Sequence, residues 1–312
     1  MLKLAKFGDD QEEQSRPRSP SGDEEDPAHS RLKLEKLGFS DSAPKLPKKI
    51  TDAHWMDIVP FDTDKSKIKQ RQVMIDKIIP SHPSSVIYNG RSGSGKTQLI
   101  VNLLCRPGFY GFSKENTSPN KISHDPMHYF DRIYMFSPTA GRGDDLCKHL
   151  IQFAGLKEDD ICNDFDISKL KGILDKQHAE IESVGMERSK KVLILLDDVQ
   201  SDQKFLRSKQ ILECFIQNRH CNVSTWLCSQ SFTKTPRACR LQCNNLFIFP
   251  CSLSEERVLV EEFSPPNHSK KEFKEIFNHA TAERFNFLHV NMRDAPKTRF
   301  RRNLDTILEL KK

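Results

Sequence analysis

The segment Gly90, Arg91, Ser92, Gly93, Ser94, Gly95, Lys96, Thr97 fits the pattern G-x-x-x-x-G-K-[ST] residue for residue. Glycines in such a loop let backbone N–H groups converge on a phosphate chain. A helix starting at Lys96 aims the positive end of its dipole at the same anion. Lys96 brings a charge to the β- and γ-phosphates of a bound nucleotide, and Thr97 offers a hydroxyl to Mg²⁺. A surface Gly/Ser loop is the alternative reading, and the flanks argue against it. The apolar run Ser85–Asn89 leads in and the apolar run Gln98–Cys105 leads out, the strand–loop–helix context that a phosphate-binding loop needs.

A second constellation lies about a hundred residues downstream. Lys191-Val-Leu-Ile-Leu-Leu-Asp-Asp198 is an apolar run closed by two carboxylates. In a buried parallel strand the apolar residues are core. The acids then emerge at the strand's carboxyl end, where ligands of open α/β sheets bind. Asp197 is placed to hold the Mg²⁺ shell, as the Walker B Asp does. Asp198, beside it, suits orienting or deprotonating an attacking water, hence hydrolysis. A carboxylate pair that merely caps a strand-end turn is the alternative.

A third element is the run His220–Gln230, which reads as a strand ending in a polar side chain; Gln230 would sit between the two motifs and sense the γ-phosphate. Arg219, Arg237 and Arg240 lie nearby. Phosphoryl transfer gains from an arginine at the developing charge, often supplied by a neighbouring subunit, and head-to-tail contacts can close subunits into a ring. Arg219 is the first candidate for that role and Arg240 the second. Each also reads as a solvated or structural charge.

These groups require a scaffold of alternating strands and helices. From about residue 50 onward, apolar β runs alternate with amphipathic stretches, the pattern of a mostly parallel α/β sheet flanked by helices. Strands are expected at Ser85–Asn89, Arg132–Ser137, Val192–Leu196, Ser224–Ser229, Leu246–Phe249 and Phe287–Asn291. Helices are expected at 96–105, 143–154, 168–184, 204–218, 253–263 and about 269–280. The division expected is an acidic tail and linker over 1–49, then one domain over 50–312. Residues 9–30 contain no Val, Ile, Leu, Met or aromatic residue and cannot bury enough apolar surface to order themselves. The tail reads equally as a solubilising spacer or as a docking segment.

The chain of 312 residues is long enough for a sizeable core, and it carries 49 Lys and Arg against 43 Asp and Glu. Residues 1–60 hold ten basic and twelve acidic residues, so the remainder carries +8. That excess suits a nucleic-acid partner without requiring one. Nine cysteines, an odd number with no C-x-x-C, read as buried thiols in a reducing, intracellular setting. The group His220, Cys221, Cys228, Cys239 and Cys243 raises a zinc site, but its spacing matches no regular zinc pattern. No apolar run approaches ~20 residues, so no membrane span is expected. No signal-peptide core is expected either.

Together these residues resemble the FtsK–HerA superfamily of ring ATPases that pump DNA. Within it they are similar to the poxvirus-type genome-packaging ATPases of large DNA viruses, virophages and polinton-like elements. The resemblance runs from about Lys77 to Asn303. It rests on Gly90–Thr97, the strand ending Ser137-Pro138-Thr139, Leu195-Leu-Asp-Asp198, and Arg219-His220 ahead of Gln230. Pro236 and Arg240, and the basic end Phe300-Arg-Arg-Asn303, complete it.

The resemblance implies a RecA-like phosphate-loop NTPase of the additional-strand catalytic-acid type. It implies ATP and Mg²⁺ as cofactors, with Lys96 and Thr97 on nucleotide and metal, Asp197 on the metal, Asp198 as catalytic acid and Gln230 as polar sensor. Many relatives carry Glu where this chain has Asp198. The implied partners are double-stranded DNA, capsid or portal-vertex proteins, and further copies in a homo-oligomeric ring. The implied location is the virion or the viral factory in the host cytoplasm. The function so expected is a motor that translocates viral DNA into a preformed capsid, with DNA phosphates met by the basic run 297–302 and by pore loops. Two other readings stand beside it: a nucleotide-binding scaffold docking at a capsid vertex, and a cellular or plasmid DNA pump of the same superfamily.

Overall fold

The computed structural model describes residues 78–106, 109–111, 128–140, 145–265 and 269–309. They all fall within a compact unit spanning Ile68–Lys312. The tail and linker expected over 1–49, and the start of the domain expected from residue 50, lie outside the described residues.

Six short strands pair in parallel. They are β1 (Ser85–Asn89), β2 (Arg132–Phe136), β3 (Ile161–Cys162), β4 (Val192–Leu196), β5 (Val223–Ser229) and β6 (Asn245–Ile248). Three more, β7 (Leu288–Asn291), β8 (Phe300–Arg302) and β9 (Thr306–Ile307), continue the sheet antiparallel. The order is β3-β2-β4-β5-β1-β6-β7-β8-β9. One strand, β5, therefore separates the strand before the glycine loop from the strand that ends in the two aspartates. This is the arrangement of a RecA-like phosphate-loop fold with an additional central strand.

Both faces of the sheet are covered, which is why the central strands read as continuous apolar runs. Side chains alternate between the faces. Val86, Tyr88, Leu193, Leu195, Trp226 and Phe247 pack on one side against α1 (Lys96–Cys105) and α2 (Asp145–Phe153). Ile87, Ile194, Leu196, Leu227 and Leu246 pack on the other. There they meet α3 (Ile167–Val184), α4 (Gln203–Leu206), α5 (Lys209–Ile216), α6 (Asn218–Cys221), α7 (Arg237–Gln242), α8 (Leu253–Phe263) and α9 (Lys270–Ala280). On the first face Tyr88 stacks on Phe247 at 4.8 Å between ring centroids and meets Trp226 at 5.5 Å.

The strands and helices fall where the apolar pattern put them, with ends moved by a residue or two. The exception is the helix expected over 204–218, which is three short helices. Ser208 breaks it by capping α5, accepting a hydrogen bond from the Ile211 N–H. Gln217 ends α5, and its N–H bonds to the Glu213 carbonyl. The strands β3, β8 and β9 and helix α7 were not expected. Each has at most six residues, too few for periodicity to declare itself.

Two buried histidines should make the fold acid-sensitive. His82 bonds through Nδ1 to Ser224 Oγ (2.7 Å) and through Nε2 to Asn222 Oδ1 (2.9 Å). His289 is fully buried, stacks on Phe247 and bonds Asn245 Oδ1 at 3.0 Å. Burial first, then neighbouring cations, holds both imidazoles neutral down to about 3. As the pH falls below 6.5 the unfolded chain takes up these protons and the folded chain does not, so acid favours unfolding. By about pH 5 each histidine should have cost the fold roughly 2 kcal/mol. Denaturant melts of wild type and His289→Asn at neutral pH and about pH 5 measure this. The variant should lose less on acidification; equal losses in the two proteins would contradict the assignment.

Candidate active site

The parallel strands deliver the three motifs to one edge of the sheet. Asn89 ends β1 and the glycine loop follows directly; its Gly90 N–H donates to the Ser229 carbonyl at the end of β5. Gly90 must be glycine for space: a Cβ there would lie 2.6 Å from Phe249 Cβ. Gly95 must be glycine for conformation, since φ is +105° where α1 begins. The loop thereby presents the first N–H groups of α1 to the cleft, where the helix dipole favours an anion.

Lys96 folds back over this loop. Its Nζ donates to the carbonyls of Gly90 (2.6 Å) and Arg91 (3.0 Å). Burial lowers its ammonium pKa, against the opposing pull of Cys228, Asp197 and Asp198. Asp197 and Asp198 leave β4 as the residue pattern requires. The Asp197 N–H still bonds the Phe136 carbonyl, continuing the ladder with β2. Asp198 then takes the left-handed conformation (φ 50°, ψ 28°), which Asp tolerates better than most residues. Gln230 Nε2 donates to Asp198 Oδ1 at 2.9 Å.

These groups line a single cleft of about 430 Å³. Ser92 to Thr97, Asp197, Asp198 and Gln230 all contribute to it. Gly90 and Arg91 complete the loop beneath Lys96. The cleft also takes in Gln98, Thr139, Cys228 and Phe285, which sequence reasoning missed as site residues. Two of the four had a usable signal. Thr139 follows the end of β2 and Cys228 is the penultimate residue of β5, both at carboxyl ends of strands. Cys228 is hydrogen-bonded to Asp197, and burial, reinforced by that carboxylate, raises its thiol pKa well above the ordinary value. Phe285 carried no local signal, because β7 brings its loop back antiparallel.

The donor set fits a magnesium nucleotide. A hydroxyl (Thr97) and two carboxylates (Asp197, Asp198) offer hard oxygen ligands. The buried Ser94 Oγ has no hydrogen-bond partner inside the loop. Among the described residues no three His, Cys, Asp or Glu side chains are grouped to hold a metal. His220 and the cysteines raised with it form no such group.

The arginines do not join this cleft. Arg219 sits on α6, whose Asn218 Nδ2 bonds Ser85 Oγ (2.8 Å) at the start of β1. The length of β1, roughly 16 Å at the usual rise, separates that end from Gly90. Arg219 is exposed, with Arg293 close enough to be electrostatically coupled to it. It is therefore out of reach of its own chain's cleft. Arg240, the second candidate, is structural: it is buried and forks onto Glu262 (2.8 and 2.6 Å). Two of the four basic residues in the run 297–302 are committed. Arg301 is buried and paired with Asp294 (2.6 Å), and Arg302 pairs with Glu283 (2.8 Å).

Gln200 ties the segment after Asp198 to the backbone around Gln230. Its Oε1 accepts from the N–H groups of Gln230 (3.3 Å) and Ser231 (3.1 Å). Its Nε2 donates to the Ser231 carbonyl (2.6 Å) and to Ser229 Oγ. One amide two residues after Asp198 thus fixes the backbone that carries Gln230. Gln200→Leu should cost about 1–3 kcal/mol of stability by stranding loop N–H groups. It should also lower ATP turnover at least tenfold with little change in nucleotide affinity. Steady-state kcat and KM beside a thermal melt check this; an unchanged kcat would remove Gln200 from the positioning role.

Comparison with known proteins adds the following. The family described as Poxvirus A32 protein matches residues 159–284, a segment that holds Asp197, Asp198, Gln200 and Gln230. No curated protein sequence matches the chain. Among solved structures, the genome packaging NTPase B204 of Sulfolobus turreted icosahedral virus 2, in complex with AMP, is similar. The identity is 14%, over 72% of this chain and 98% of that one, with a TM-score of 0.46. B204, the DNA-packaging ATPase from Sulfolobus turreted icosahedral virus, is 13% identical over 68% and 93%, with a TM-score of 0.45. ATPases 2 and 3 of EssC from Geobacillus thermodenitrificans are 13% identical over 72% and 40%, with a TM-score of 0.43. On its strand order the chain is a RecA-like phosphate-loop protein, and over residues 159–284 it resembles the family described as Poxvirus A32 protein.

Proposed function

We propose that this protein is a Mg²⁺-dependent ATPase that translocates double-stranded viral DNA into a preformed capsid. The observation that carries the hydrolytic part is the convergence of Lys96, Thr97, Asp197, Asp198 and Gln230 on one cleft beside the glycine loop. Lys96 leaves its loop carbonyls to neutralise the terminal phosphates. Thr97 and Asp197 hold Mg²⁺, which when bound screens the phosphate charge and fixes the phosphate orientation. Asp198 accepts the proton of the attacking water as the water oxygen bonds to the γ-phosphorus and the bond from that phosphorus to the bridging oxygen breaks, its electron pair leaving on the ADP oxygen. Gln230, released from Asp198, reports whether the terminal phosphate is present. A binding-only module has no use for a second acid so placed.

The motor part is supported by the likeness to packaging ATPases over 159–284 and by the +8 charge beyond residue 60. DNA contact through phosphates makes binding sequence-independent and salt-sensitive. Since Arg301 and Arg302 are tied up in ion pairs, exposed loop cations carry that contact. Arg219, exposed and remote from its own cleft, fits action in trans on the next subunit of a ring. Residues 50–312 form the motor domain in this reading, and the acidic 1–49 segment docks it to capsid or portal-vertex proteins. The protein works in the virion or the viral factory, a reducing setting in which the nine cysteines stay free thiols. No helix among the described residues is long and apolar enough to cross a membrane.

ATP hydrolysis with and without long duplex DNA, for wild type and Asp198→Asn, tests this reading. Turnover should rise with DNA and fall at least a hundredfold in the variant, in line with general-base contributions. Tight ATP binding without turnover, in the presence or absence of DNA, would favour the nucleotide-binding scaffold instead.

A further inference from the structure

Phe285 lines the cleft wall, and the hydrolytic chemistry does not use it. It is 53% exposed, although it is a large aromatic side chain. Its backbone is left-handed, with φ +69°, a conformation that an aromatic residue adopts only at a cost. Glycine or asparagine would hold the same turn more easily. Such strain is found where function requires a particular side chain. The ring lies against the glycine loop: a Cβ on Gly95 would be 3.4 Å from Phe285 Cδ1. One face is held by the Arg284 guanidinium, 4.6 Å from the ring centroid.

Its place in the sheet gives the side chain a meaning. β1 has β5 and β4 on one side and β6 and β7 on the other. Asp197, Asp198 and Gln230 follow the strands of the first side, and Phe285 leads into β7 on the second. A triphosphate lying along the loop with its terminal phosphate at Asp198 therefore extends its other end toward Phe285. In a nucleotide that end carries the ribose and the base. A half-exposed ring at that point offers a flat apolar surface for stacking.

We propose that Phe285 is the platform on which the purine base of the bound nucleotide stacks, with Arg284 steadying the ring from behind. This rests on the reading of residues 90–97 as a phosphate loop. It makes affinity for ATP the sum of a phosphate site that any polyphosphate fills and a base site that only a nucleotide reaches.

Calorimetric titration of the full-length protein with ATP and with inorganic tripolyphosphate, each with Mg²⁺, separates the two sites. Phe285→Ala should weaken ATP about tenfold and leave tripolyphosphate unchanged. Phe285→Trp should restore ATP binding. Phe285→Asn should bind ATP as weakly as the alanine variant while melting no lower than wild type, which excludes a folding defect. Equal weakening of both ligands in the alanine variant, or of neither, would overturn the proposal. Wild-type protein that binds neither ligand would bring down the phosphate-loop reading, and this proposal with it.

Discussion

Parallel pairing of β1 between β5 and β6 sets the edge of the sheet at which the phosphate loop and the two aspartates meet. Ile87 lies opposite both Leu227 and Leu246, so the carboxyl ends of the three strands are level. β4 is registered on β5 with Leu196 opposite Leu227, which brings Asp197 out at the height of the glycine loop. Apolar contacts on both faces hold this register, since a one-residue slip would turn the buried side chains of a strand to the wrong face. A cavity at Trp226 or Tyr88 would therefore cost packing energy and also displace the phosphate loop relative to the acids.

Within that frame the polar groups of the cleft satisfy one another. Lys96 rests on the Gly90 and Arg91 carbonyls, Gln230 on Asp198, and Cys228 on Asp197. Each of these contacts uses a group that a magnesium nucleotide would claim. The resting cleft thus places a lysine and two carboxylates close together without leaving any of them as an isolated charge. Gln200 is different in kind: it bonds the Gln230 and Ser231 backbone and the Ser229 hydroxyl, and so holds the segment that carries Gln230 without using the Gln230 side chain.

Much of this was legible in the sequence because the decisive signals are local. The glycine loop and the Asp197–Asp198 pair each lie within eight residues, next to runs apolar enough to be buried strands. Asp198 and Gln230 were expected near each other, and they share a hydrogen bond. What could not be read depends on partners distant in sequence. Arg240 looks like a free cation until α8 supplies Glu262, and Arg301 until the turn after β7 supplies Asp294. Phe285 is one exposed aromatic among twenty phenylalanines until the antiparallel return of β7 lays it against Gly95. Breaks such as that at Ser208 are set by a cap inside an otherwise continuous apolar pattern, which periodicity overlooks.

The most direct measurement is a crystal structure with Mg²⁺ and a non-hydrolysable ATP analogue. The account predicts the triphosphate in the loop of residues 90–97, with Lys96 Nζ moved from the Gly90 and Arg91 carbonyls onto phosphate. It also predicts the metal held from Thr97 and Asp197, and the Gln230 amide withdrawn from Asp198. An analogue bound elsewhere, or bound here with Lys96 still on its own loop carbonyls, would contradict it.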